Sequence, residues 1–254
     1  MLLDSTMLFV GLGCALVIGM AKGGLSGGLG TLVVPVMSLA MDPRAAAALV
    51  LPLLIISDFF AIWAFRGRWH WGHTLVLLAG AALGVLFGTL TFSWVSEPAM
   101  RLLMGFISVA FVAANLAGAT GASERQQPPA LGAGMFWGAL SGFTSFTAHA
   151  GGPPVQVYLL PRGLDKRTFQ ATVTLFFTIL NLVKVPPYLA LGQFTQPILM
   201  TALVLMPAAA IGVFLGVRLT GLIPEKPFFR LVLGLLAITG LKLMWDGITG
   251  LGWL

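Results

Sequence analysis

Charge is what this sequence has least of. Only 9% of its residues are charged, eight acidic side chains against fourteen basic ones, whereas a soluble domain carries about a quarter. So few charges cannot solvate the surface of a 254-residue globule, which excludes an ordinary water-soluble enzyme or binding module. Cysteine is almost missing too. Cys14 stands alone, ruling out an intrachain disulfide and a cysteine-built metal site. No Gly-x-x-x-x-Gly-Lys-Ser/Thr run is present to cradle phosphates, so an ATP-driven pump within this chain is not expected. His70, His73 and His149 are the three histidines and have no Cys or acidic cluster beside them. No metal or other cofactor is expected. No serine, histidine and acid constellation stands out either, and the chain reads as a non-enzyme. A basic leader is also lacking, since Met1 to Thr6 carries Asp4; the first apolar segment is expected to stay rather than be cleaved as a signal peptide.

What is present is apolar sequence, 58% hydrophobic with a mean hydropathy of +0.97. Runs of roughly 20 residues match helices crossing a hydrocarbon core of about 30 Å, not the alternating runs of about 10 that build a barrel. An all-α membrane protein, a polytopic helical bundle, is expected. Six runs read as full spans: Ala45 to Phe65, His73 to Val95, Met100 to Ala119, Phe169 to Leu191, Ile198 to Leu219 and Phe228 to Ile248. Two further regions, Leu8 to Ala40 and Leu131 to Leu160, exceed one span but are broken near their middles by Gly or Gly-Pro runs. Each leaves halves of about 15 residues, too short to cross comfortably alone. Such broken backbone is tolerated in a bilayer only where protein buries it or where it lines a cavity, so the two breaks point at a solute site. The net charge of +6 comes from basic residues scattered singly among loops. That pattern sets topology and does not form the stripe that nucleic acid requires.

The chain also matches itself. Gly24-Leu25-Ser26-Gly27 resembles Ala139-Leu140-Ser141-Gly142, Met41-Asp42-Pro43-Arg44 resembles Leu164-Asp165-Lys166-Arg167, and Gly84 to Gly88 resembles Gly212 to Gly216. These matches divide a single transporter domain, residues 1–254, into a first repeat 1–120, an inter-repeat loop 121–129 and a second repeat 130–254. Each half has four segments and begins with a broken or re-entrant helix. If the broken segments cross, the halves are parallel; if they dip and return, the halves are inverted. Loop Arg and Lys divide eight against three in the first case and nine against two in the second, a thin preference for inversion.

Lys22 lies inside the first broken region, before Gly23 and Gly24. A cation at membrane depth costs about 2.5–3.5 kcal/mol unless it faces protein or water. With Ser26, Gly27 and the backbone N–H groups of the glycine run, it would suit an anion. The second break offers neutral donors: Ser141, Thr144, Ser145, Thr147 and His149 before Gly151 and Gly152, with Gln156 beyond. Thr174, Thr178, Asn181, Lys184 and Tyr188 share one helical face, making Lys184 a second cationic wall with Asn181 donating beside it. Asp58, opposite Asn181 in the repeat, would pair with a Lys or, like His149, carry a proton. His70 and His73 sit among Trp69 and Trp71 and read as an aromatic belt.

Gly24-Leu25-Ser26-Gly27-Gly28 with Val34-Pro35, and above all Leu140-Ser141-Gly142-Phe143-Thr144-Ser145 through His149-Ala150-Gly151-Gly152-Pro153-Pro154, with Asn181 and Lys184, resemble the TauE/SafE sulfite exporter family. The resemblance implies a multi-pass carrier of the bacterial inner membrane, exporting small sulfur-containing or organic anions such as sulfite, thiosulfate or sulfonates. Its partners would be a small anionic solute and the lipid bilayer, without nucleic acid; a homodimer is compatible. An anion channel and a proton-coupled uptake permease for an organosulfonate or carboxylate are the competing readings.

Overall fold

The computed structural model describes residues 5–25, 29–118, 127–219 and 225–253. Among them there are helices and no strand. The first half holds α1 (Ser5–Lys22), α2 (Leu29–Ser38), α3 (Pro43–Ala64), α4 (Trp71–Thr91) and α5 (Glu97–Leu116). The second holds α6 (Leu131–Ala148), α7 (Gly152–Leu159), α8 (Lys166–Ala190), α9 (Gln196–Leu219) and α10 (Glu225–Gly250), with one 3₁₀ turn at Leu160–Arg162 after α7. Six of these helices, α3, α4, α5, α8, α9 and α10, are long and apolar enough to cross a membrane. They coincide with the six expected spans to within a few residues. Their outward faces carry the apolar side chains that lipid requires, such as Leu83, Phe87 and Leu90 on α4 and Ile211 and Phe214 on α9.

Helix boundaries follow from local chemistry. Asp42 caps α3 by accepting from the N–H groups of Arg44 and Ala45, and Asp165 caps α8 through Arg167 and Thr168 in the same way. Each satisfies N–H groups that the first helical turn leaves unpaired. Hydrogen bonds from Thr168, its side chain first, and from the Arg167 N–H hold the Asp165 carboxyl below its usual range. Prolines start α7, where the missing N–H costs nothing.

Small residues bring helices into contact. A Cβ at Gly84 would run into the carbonyl of Ala139, and one at Gly142 into that of Ala81, so α4 and α6 touch backbone to backbone. α1 and α9 do the same through Gly19, Gly23, Gly212 and Gly216, the small-residue packing typical of membrane bundles. These contacts also fix direction. Leu16 meets Gly212 while Met20 meets Gly216, so α1 runs parallel to α9; Met135 meets Gly80 while Ala139 meets Gly84, so α6 runs parallel to α4. Leu102 meets Gly247 while Gly105 meets Gly240, which makes α5 antiparallel to α10. With alternating spans, the ends bearing Arg66, Arg68, Arg162, Lys166, Arg167 and Arg218 fall on one face, and those bearing Arg44 and Arg101 on the other. α2 returns α1 to the latter, where Arg101 donates to the carbonyls of Ser38 and Met41. α7 returns α6 to the basic face, where Arg162 meets Gln127. Both broken segments therefore dip and return.

The register of the breaks differs from the sequence match. Gly24 lies beyond the end of α1, whereas Ala139 to Gly142 lie two turns inside α6. If Gly84 corresponds to Gly212, their partners correspond too, and Ala139 pairs with Leu16 rather than with Gly24. In that register the Leu-Ser-Gly match is out of step by about two helical turns. His73 also departs from expectation. It is fully buried, with Nδ1 3.2 Å from the Tyr158 hydroxyl and its ring against His70, while Trp71 stays exposed as a belt residue should.

Candidate functional site

The two breaks meet beside the middle of α8. Between them lies a cavity of about 90 Å³, room for several waters where one needs about 10–15 Å³. That is the scale of a small oxyanion. Its polar wall is made of Lys22, Thr31, Ser145, His149, Gly152, Gln156 and Asn181. Its apolar wall is made of Ala21, Leu54, Phe169, Val173 and Phe177. From Asn181 the cavity extends along α8 past Thr174 and Gln170 to Phe169, one turn from the helix start on the basic face.

Lys22 reaches the cavity from the last turn of α1, its ammonium 2.6 Å from Asp58 Oδ1 and 5.1 Å from the centroid of the Phe177 ring. Asp58 is held from its other side by Asn181 Nδ2, which donates to Oδ2 at 2.6 Å. The carboxylate is therefore divided between an ammonium and an amide, and the Lys22 charge is compensated. Asn181 Oδ1 and Thr174 Oγ1 are buried with no hydrogen-bond partner among the described residues. Buried polar atoms are usually paired; the Thr174 hydroxyl can donate to an anion, whereas Asn181 Oδ1 only accepts.

Lys184 sits behind this wall, with no exposed surface and outside the cavity lining. The expected second cationic wall is corrected here, because α8 turns Lys184 into the packed interior one turn below Asn181. Its ammonium donates to Ser145 O at 3.2 Å and Ser145 Oγ at 3.0 Å, and lies 2.8 Å from His149 Nδ1. His149 Nε2 lies 2.9 Å from the Ala47 carbonyl. A carbonyl only accepts, so Nε2 carries the proton and Nδ1 is the lone pair that receives Lys184. His149 also closes α6 in the left-handed region, φ 51° and ψ 27°, a conformation that costs a non-glycine residue about 1–3 kcal/mol unless its surroundings hold it. Its two ring contacts to α3 and α8 supply that hold.

Below His149 the bundle is closed by rings. The Tyr188 hydroxyl donates to Phe146 O at 2.6 Å, and the centroids of Phe92, Phe146 and Phe194 lie 5.2 to 6.4 Å from that of Tyr188. The cavity thus reaches toward the basic face and is sealed toward the other.

The remaining candidates divide by role. Ser141 Oγ donates to Gly151 O and staples the break shut, while Gly151 is closely packed on Ser141 and Ser145. Thr144 and Thr147 donate to carbonyls of their own helix. Gly23 packs against α9, and Gly24, at φ 120°, turns the chain out of α1. None of these six lines the cavity. Ser26 and Gly27 lie outside the described residues. Gln170 and Phe177, which the sequence did not single out, do line it. Among the described residues no group of three His, Cys, Asp or Glu could hold a metal.

Comparison with curated proteins and with solved structures gave no match. The family model for the sulfite exporter TauE/SafE matches residues 11–243, nearly the whole chain and all of the lining just described. A multi-pass helical bundle with its cavity between two broken helices, matched over that length, belongs to the sulfite exporter TauE/SafE family of membrane transporters.

Proposed function

We propose that the protein is a secondary carrier that exports a small sulfur-containing anion, of the sulfite, thiosulfate or sulfonate type, across the bacterial inner membrane. The observation that carries this reading is the placement of Lys22, Ser145, His149 and Asn181 around one small cavity at the meeting of the two breaks. To an oxyanion Lys22 offers an ammonium, Ser145 a hydroxyl and Asn181 the second N–H of its amide, while His149, whose ring nitrogens are committed to Ala47 and Lys184, shapes the wall. The ammonium is already compensated by Asp58, which leaves the solute held firmly enough to enter and loosely enough to leave.

The reading includes alternating access by two inverted repeats, 1–120 and 130–254. Three observations support it. Asp42 and Asp165 cap α3 and α8 identically, the α1 and α9 contact mirrors that of α6 and α4, and the matched residues Asp58 and Asn181 touch each other, as partners on a two-fold axis would. Under the positive-inside rule the basic face is cytoplasmic, so the cavity reaches inward and the ring seal faces out. Energetics favour export: each charge crossing 100 mV is worth about 2.3 kcal/mol, so an inside-negative potential helps expel an anion.

Sulfite efflux from proteoliposomes tests this. An imposed inside-negative potential should accelerate efflux at ordinary carrier turnover. Flux that ignores the potential would refute electrogenic export, and currents of millions of ions per second would refute a carrier in favour of a channel.

A further inference from the structure

Two glycines of the cavity wall have no packing reason to be glycine. Around the breaks, Gly19, Gly23 and Gly151 are pressed against neighbouring atoms, and Gly24 holds a φ of 120°. Gly30 on α2 and Gly152 on α7 differ. A Cβ at Gly30 would meet only Ala21 Cβ, at 3.9 Å, and one at Gly152 only Thr31 Cγ2, at 3.8 Å. These are ordinary contacts, and neither residue has a positive φ. Alanine would fit both places and favour both helices. Both positions line the cavity, each in the first turn of a short helix, one in each half of the chain. The Thr31 contact also shows that these two first turns face each other.

α2 and α7 leave the cavity in opposite directions, toward the face of Arg101 and toward the basic face, so their N-terminal ends converge. Such an end carries partial positive charge on N–H groups without a partner in the helix. On α7, Pro153 and Pro154 have no N–H, no side chain caps the start, and no described carbonyl accepts from Gly152. The C-terminal ends of α1 and α6 reach the same place, but their carbonyls are occupied. Ser145 O and Phe146 O accept from Lys184 and Tyr188, and Met20 O and Ala21 O from Leu25 and Gly24. A second sign of a ligand comes from α8. Thr174 lines the cavity at 2% exposure, and its hydroxyl has no partner among the described residues.

We infer, resting on the anion reading above, that the anionic headgroup is seated between the first turns of α2 and α7, against the bare backbone of Gly30 and Gly152. Without a Cβ the oxygens of the solute reach the backbone itself. The Thr174 hydroxyl supplies a further donor from α8. Each half of the chain contributes one turn, so the solute bridges the two halves, and the two glycines determine which headgroups fit.

The test is calorimetric titration of the purified full chain and of its Gly30→Ala and Gly152→Ala variants with sulfite, thiosulfate and methanesulfonate. A methyl in the seat should weaken each anion that the wild-type chain binds by about tenfold or more, while the melting temperature without solute stays equal or rises. Gly132→Ala, on α6 and outside the cavity lining, should bind as the wild type does. Wild-type affinity in either cavity variant overturns the two-sided seat. A lowered melting temperature in either also overturns it, by showing that packing requires the glycine. An equal loss in Gly132→Ala does the same, by showing that position is irrelevant. Binding of none of the three anions by the wild-type chain overturns the anion reading and the inference with it.

Discussion

At the residue scale the Lys22 to Asp58 pair decides how strongly the cavity attracts an anion. Asp58→Asn keeps an amide-sized side chain against Asn181 but removes the charge opposing Lys22. Removing a unit of negative charge about 6–8 Å from the solute, at an effective dielectric constant of about 20, is worth about 2–3 kcal/mol, or roughly thirty- to a hundredfold in affinity. Titration with sulfite should show that gain together with slower efflux; unchanged affinity would place the solute away from Lys22. Lys22, His149, Gln156 and Asn181 were legible from sequence because a charged or amide side chain inside an apolar run needs a polar partner. The hydroxyls were less so. Thr144 and Thr147 satisfy themselves on their own helix, an option open to any membrane hydroxyl, and Ser145 differs only because Lys184 crosses to it. For Lys184 the stripe on α8 gave the correct face, but a periodicity of 3.6 says nothing about depth, and one turn separates the cavity from the packed interior.

At the element scale, the contact between α4 and α6 rests on backbone approach. Gly84→Ala should cost about 1–3 kcal/mol by overpacking, since its methyl meets the Ala139 carbonyl and the Phe143 N–H. Gly132→Ala on the same α6, with open space around it, should be neutral or stabilising by up to about 1 kcal/mol from helix propensity. Melting temperatures of the two variants in one detergent compare them directly, and equal losses would remove close approach as the cause. The six spans were readable because apolar length is dictated by the bilayer. The register of α1 against α6 was not, because Leu, Ser and Gly recur in any tightly packed membrane helix, and only the partners across the interface tell two such runs apart.

At the scale of the whole molecule, the packing directions place the loop containing Gly67 and the segment ending at Trp253 on opposite faces. In a Cys14→Ala background, single cysteines at those two positions should react with a membrane-impermeant thiol reagent from opposite sides of oriented vesicles. Labelling from one side would restore crossing broken segments and parallel halves. Charge arithmetic alone could hardly separate the two cases; helix directions do so because crossing breaks would make α5 and α10 parallel, and their glycine-lined contact is antiparallel. The ring seal around Tyr188 has an electrical meaning as well. A transmembrane voltage falls mainly where water is absent, so the approach along α8 is nearly equipotential with the solution at the basic face. The field is concentrated across the few ångströms of Phe92, Phe146, Tyr188 and Phe194. An anion resting at His149, beside the middle of α8, has therefore travelled about half of the membrane's depth and little of its potential, and the voltage acts on the step that carries it past the rings.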